Sequence, residues 1–135
     1  MKKLILATLL TGATHMASAS DIPAQFQGEW GENGSNGCSD EYRANLVTID
    51  AKTIAHSYGT YTLKGRNKTS MGGTFSANFN YEGEEADGTD VTVSLRLTDK
   101  GKLLMDDEQL YSKCEDYEIA QRKEAIKTRE LKQNM

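Results

Sequence analysis

The sequence predicts an all-β protein, a small antiparallel barrel of six to eight strands followed by a C-terminal α-helix. Three observations carry this reading. Val91, Val93, Leu95 and Leu97 alternate with Thr92, Ser94, Arg96 and Thr98, the period of two that gives a strand one buried and one wet face. Met71, Gly73, Phe75, Ala77, Phe79 and Tyr81 alternate with polar residues in the same way. Asp116 to Gln133 has neither glycine nor proline and is rich in helix formers. Strands joined by hairpins leave exposed edges, and closure into a barrel removes them. A half-open barrel or a sandwich is the competing arrangement.

The first residues stand apart from this pattern. Lys2 and Lys3 precede the mostly apolar run Leu4 to Leu10, and Ala17-Ser18-Ala19 has the small-x-small form of a cleavage site. Met1 to Ala19 therefore reads as a secretory signal peptide, with no cysteine at the cleavage point to take a lipid. No other run is apolar enough to span a membrane. Roughly 116 residues remain, enough for one small domain. The reading divides them into a barrel over 20–115 and a helical tail over 116–135. The formal net charge of −4 becomes more negative without Lys2 and Lys3, which argues against nucleic acid as a partner. With 12 glycines and a hydrophobic fraction of 37% the core is thin, and a covalent staple would help it. In an exported chain the only two cysteines, Cys38 and Cys114, predict one disulfide. The chain-entropy model assigns a loop of that length about 4.5 kcal/mol.

Taken in order, Pro23 suits the first turn of a short helix, with Asp21 as its cap. Trp30 follows as a core anchor. Asn33-Gly34 and Asn36-Gly37 mark a loop from Glu32 to Asp40. Asn45 to Asp50 reads as a strand, and Asp50 to Lys52 as its turn. Thr53 to Leu63 reads as one strand whose alternation slips at Gly59, the mark of a β-bulge. Lys64 to Ser70 is a basic loop, and Glu82 to Gly88 an acidic turn. Asp99 to Lys102 turns the last strong hairpin, with Gly101 free to take positive φ. On the helix, Ile119 and Ile126 share a face, but Tyr117, Ala120 and Leu131 do not join them. So weak an apolar stripe predicts a half-docked or projecting helix, more a solvated tail than a partner-holding arm.

Several short strings resemble known proteins. Ile22-Pro23-Ala24-Gln25-Phe26-Gln27-Gly28-Glu29-Trp30, the loop residue Cys38, Tyr81-Glu82-Gly83-Glu84-Glu85 and Tyr111-Ser112-Lys113-Cys114 resemble a family of small uncharacterised bacterial exported β-barrel proteins. The resemblance covers most of Ile22 to Cys114 and implies a compact β-fold without a known activity. Gly28-x-Trp30 after a short helical turn is also similar to the start of lipocalin-type barrels. Tyr61-Thr62-Leu63-Lys64-Gly65 resembles the Tyr-rich Thr-Lys-Gly step of C-type lysozyme inhibitors, although here Leu63 separates Thr62 from Lys64 and the cysteines are placed differently.

The residues support binding better than catalysis. His56 is the only histidine after the signal segment, and no serine lies in a nucleophile-elbow sequence. Carboxylates crowd in turns rather than in a recognisable cleft. Glu82, Glu84, Glu85, Asp87 and Asp90 do not have the spacing of a calcium loop, and zinc lacks nitrogen and sulfur ligands. No catalytic residue, metal or cofactor is therefore assigned. Trp30, Tyr58, Tyr61, Phe75, Phe79 and Tyr81 are the candidates to line a ligand cavity, with a filled core the favoured alternative. Counting hairpins places the turn Asp50–Lys52 with Glu82, Glu84, Glu85, Asp87, Asp106, Asp107 and Glu108 at one rim. Lys64, Arg66, Lys68, Lys100, Lys102 and both cysteines fall at the other. The expectation is a monomeric, non-enzymatic binding module of the bacterial envelope, periplasmic or secreted, taking a protein or a small apolar ligand. Inhibition of a lysozyme-like or other hydrolase is the alternative, followed by a small hydrolase or a structural envelope protein.

Overall fold

The computed structural model describes residues 21–65, 68–84 and 86–135, the side chain of Ala86 excepted. The expected signal segment, Arg66, Asn67 and Glu85 lie outside the described residues. Among the described residues there are nine strands: β1 (Gly28–Glu32), β2 (Leu46–Ile49), β3 (Thr53–His56), β4 (Gly59–Leu63), β5 (Thr69–Met71), β6 (Thr74–Gly83), β7 (Ala86–Leu97), β8 (Leu103–Met105) and β9 (Gln109–Lys113). Helix α1 (Asp116–Gln133) follows. All strands but β5 form a closed antiparallel barrel of eight, each paired with the next and β9 returning to β1 through Trp30 opposite Lys113. The short β5 extends the line of β4 along the first residues of β6.

The barrel has two unlike ends. The base gathers the turns at 50–52, 72–73 and 98–102. It is closed by the opening segment, in which Ala24–Phe26 makes a single 3₁₀ turn after Pro23. Ile22 and Phe26 are buried there, Phe26 lies 6.5 Å from the Phe75 ring, and its carbonyl accepts the Trp30 indole N–H at 3.0 Å. The mouth gathers the loop 33–45, the turns at 57–58 and 106–108, and Glu84 at the end of β6.

Inward positions of the strands meet in one apolar core. Trp30, Val47, Ile49, Ile54, Phe75, Ala77, Phe79, Val93, Leu95 and Leu103 are its buried members, joined by Met105 and Tyr111. The period-two pattern of β6 and β7 reads directly into this core. The base turns are locally satisfied: the Asp50 carboxylate accepts the backbone N–H groups of Lys52 at 2.9 Å and Thr53 at 2.7 Å. Those bonds, Lys52 first, hold its pKa below the ordinary value against partial desolvation.

Two sequence expectations are corrected. Thr53 to Leu63 is a hairpin of β3 and β4, not one bulged strand. His56 pairs with Gly59, so Ser57 and Tyr58 are a two-residue turn. A bulge and a tight hairpin both interrupt alternation near a glycine, and no Asn-Gly or Asp-Gly pair marks this turn. The extra reversal moves the turn at Asp50–Lys52 to the base, away from the acidic turns. The one register shift of β6–β7 lies instead at Tyr81/Glu82.

The helix is also docked rather than a solvated tail. Loop 33–45 leaves the mouth and folds back over the outer wall, where Cys38 joins Cys114 with Cα atoms 5.4 Å apart. Gly31 lies beneath, since a Cβ there would come within 2.8 Å of the Cys38 sulfur. Ile119 packs on Cys38, Leu46 and Cys114. Arg122, 2% exposed, donates to the Cys38 carbonyl at 2.8 Å and to the Glu29 carboxylate. Two turns further on, Arg129 stacks 4.7 Å over the Tyr42 ring and meets Glu41 at 3.6 Å. The docked stripe is Ile119, Arg122, Ala125, Ile126 and Arg129. Arginines complete it, so apolar periodicity does not register it. At its start, Glu115 and Glu118 form a reciprocal capping box.

Candidate functional site

On three adjacent strands the inward residue nearest the mouth is a polar aromatic. On β3 it is His56, two residues beyond the fully buried Ile54. On β4 it is Tyr61, paired across the sheet with Ile54 and with Tyr81. On β6 it is Tyr81, two beyond Phe79. Tyr58, in the β3–β4 turn, completes the group. Its ring stacks on His56 with centroids 4.5 Å apart, and the Tyr61 ring meets His56 edge-on at 5.5 Å. Tyr61 and Tyr81 lie 4.6 Å apart. The Tyr81 ring crosses Gly59 and Gly83, and its hydroxyl donates to the Tyr58 carbonyl at 3.3 Å. A Cβ at Gly59 would sit 2.6 Å from that hydroxyl, so the two facing glycines make the seat.

His56 and Tyr58 of this group line a cavity of about 250 Å³. His56 and Tyr58 face Tyr111, Gln109 and Glu32 across it, and Ala44, Asn45, Leu46 and Val47 close it from the loop side and β2. Tyr111 donates to the Gln109 side-chain carbonyl at 3.3 Å. His56 Nε2 is buried and has no hydrogen-bond partner. Burial pushes the His56 pKa down to about 4, so the imidazole is neutral near pH 7. Burial, then the charge of Glu32, pushes the Tyr111 hydroxyl up to about 12. Burial, then Tyr61, also raises Tyr58, and all of these hydroxyls stay protonated. The site thus offers π-faces, neutral hydroxyls, an imidazole and one carboxylate, in a space too shallow for a drug-sized molecule.

Among the candidates from sequence, Trp30, Phe75 and Phe79 fill the core. Tyr58, 47% exposed, lines the cavity, while Tyr61 and Tyr81 back it. His56, Tyr111, Gln109 and Glu32 were not among them. Their signal is the replacement of an apolar by a polar group at the last inward position of several strands, which needs the register to be seen. Glu82, Glu84 and Asp87 lie at the tip of the β6–β7 hairpin at the mouth, where Asp106, Asp107 and Glu108 also turn. Lys64 lies on the outer wall, its ammonium 3.3 Å from Asp90. Lys68 lines an open cleft of about 530 Å³ at the base with Asp21, Pro23, Ala24, Thr69, Ser70 and Phe75. Arg66 and Glu85, expected on the two rims, lie outside the described residues. Among the described residues no three His, Cys, Asp or Glu side chains are placed to hold a metal ion.

No family model, curated protein or solved structure matches the chain. Among the described residues no helix is long and apolar enough to cross a membrane.

Proposed function

We propose that this protein is a non-enzymatic binding module of the bacterial envelope, exported with loss of Met1 to Ala19, that engages a partner protein through the mouth of its barrel. The observation that supports this reading most is the contrast between a filled interior and a polar aromatic mouth holding a buried imidazole nitrogen without a partner. Binding sites keep polar groups that the fold alone would not place there. The filled core weighs against a small apolar ligand inside the barrel. Catalysis has little support, because the close ring contacts of His56 are tyrosines and burial, which lowers its pKa to about 4, leaves the imidazole a weak base. The carboxylates gathered at the mouth favour a basic partner, and inhibition of a basic hydrolase such as a lysozyme-like enzyme fits the same geometry.

The test is capture from envelope extract by immobilised protein. Wild type and the outer-wall variant Ser76→Ala should retain the same partner, and Tyr58→Ala with Gln109→Ala should lose it. Equal capture by the mouth variant, or no capture by the wild type, would overturn the reading.

A further inference from the structure

The cavity beside His56 has a definite chemical preference. No lysine or arginine is among the residues that line it. Its charged lining residue is Glu32, whose negative charge is felt at the Tyr111 hydroxyl. Asp106 acts on Tyr61 in the same way from the β8–β9 turn. Gln109 presents a carbonyl oxygen already close to Tyr111. The rings of His56, Tyr58 and Tyr111 surround the space, and Tyr61 and Tyr81 stand behind them. Aromatic faces attract a cation through their quadrupole, most strongly where the site is shielded from water. A neutral imidazole adds no opposing charge. At about 250 Å³ the space is below the size of common small-molecule pockets and suits the head of a single side chain.

We infer that the mouth cavity is a receptor for one cationic side chain, the guanidinium or ammonium of an arginine or lysine projecting from a basic partner protein. The cation lies between the rings of Tyr58 and Tyr111, with the Glu32 carboxylate and the Gln109 carbonyl accepting its N–H groups. The surrounding carboxylates at Glu82, Glu84, Asp107 and Glu108 steer the basic partner towards the mouth, an effect that salt screens. An anionic or purely apolar group would meet Glu32 and gain none of these contacts.

This inference rests on the mouth being the binding site and is tested apart from it. The probe is Nα-acetyl-arginine amide, titrated into the purified protein with its disulfide intact. Nα-acetyl-citrulline amide, nearly the same shape without the charge, is the control. The ring resonances of His56, Tyr58 and Tyr111 are followed by NMR. The arginine probe should shift all three saturably, and the citrulline probe should bind at least ten-fold more weakly. Glu32→Gln, at an exposed position, should weaken the arginine probe several-fold without changing the melting temperature, and Tyr58→Ala should do the same. Equal binding of the two probes would overturn the inference, as would the absence of a saturable shift up to the solubility limit of the arginine probe. If that happens while the mouth variants still lose capture of the partner, the mouth remains the binding site and only its preference for a cation falls. If capture is also unaffected, both fall.

Discussion

The base and the mouth of this barrel are built by the same strands and differ only in what stands at the last inward positions. At the base, Ile22, Phe26 and Phe75 close the interior with apolar groups, and the nearby polar atoms are paired. At the mouth, His56, Tyr61 and Tyr81 take the positions beyond Ile54, Leu63 and Phe79 on their strands. Each keeps an aromatic body against the core and turns a polar edge outward. His56 Nε2 is left buried without a partner there, as Arg122 Nε is beneath the helix. Apolar closure serves stability, and a closure that leaves a polar atom unpaired costs stability. That difference supports the binding role proposed for the mouth.

Substitution at the two ends should separate these roles. Phe79→Ala, in the floor shared by both ends, should lose about 3–5 kcal/mol in a denaturant titration. Removing the staple comes next. The double variant Cys38→Ser/Cys114→Ser should lose about 4 kcal/mol and melt with the reduced wild type. Identical melting of oxidised and reduced wild type would mean that the strap over Gly31 contributes nothing. Arg122→Ala should cost about 2 kcal/mol, because it leaves the Cys38 carbonyl and the partly exposed Glu29 without their shared donor. Tyr58→Ala should change stability by less than about 0.5 kcal/mol, since the side chain is half-exposed at a turn. A large loss there would make the mouth part of the scaffold.

Acid should also tell the ends apart. The folded pKa of His56 is depressed, so below about pH 6.5 the unfolded chain takes a proton that the native imidazole refuses. The stability that comes from keeping this group neutral is present above its unfolded value. It is lost as pH falls from about 6.5 towards about 4, by up to about 3 kcal/mol. At the base, the depressed carboxyl of Asp50 contributes stability above its ordinary value and loses it only at lower pH. Denaturation midpoints between pH 7 and pH 4 should therefore fall in wild type. A flat profile across that window would mean that His56 is solvated at the mouth.

Much of the scaffold was legible in the sequence. Alternation over β6 and β7, the Asp99–Lys102 turn and two cysteines led to a closed antiparallel barrel with one disulfide. The Ser57–Tyr58 reversal was not legible, because no Asn-Gly or Asp-Gly pair stands at its centre and its glycine follows it. The docked helix was hidden for a related reason: Arg122 and Arg129 lie on the docked face with their guanidinium groups paired through terminal nitrogens or a ring, which a count of apolar residues scores as polar. The candidate site was the least legible part. Glu32, His56, Tyr58, Gln109 and Tyr111 come from distant stretches of the chain, and only strand register brings them to one cavity. Six aromatic residues were singled out for a cavity inside the barrel. Three of them have no polar edge at the mouth and simply fill the core.

The central claim, that the mouth trades stability for binding, is tested most directly by His56→Leu, with unfolding and partner capture measured on the same preparation. Leucine fills much of the imidazole space and removes the buried unpaired nitrogen, so the variant should gain about 1 kcal/mol at neutral pH. It should also lose the partner. A variant that is destabilised like a core truncation and still captures the partner as wild type does would contradict the account.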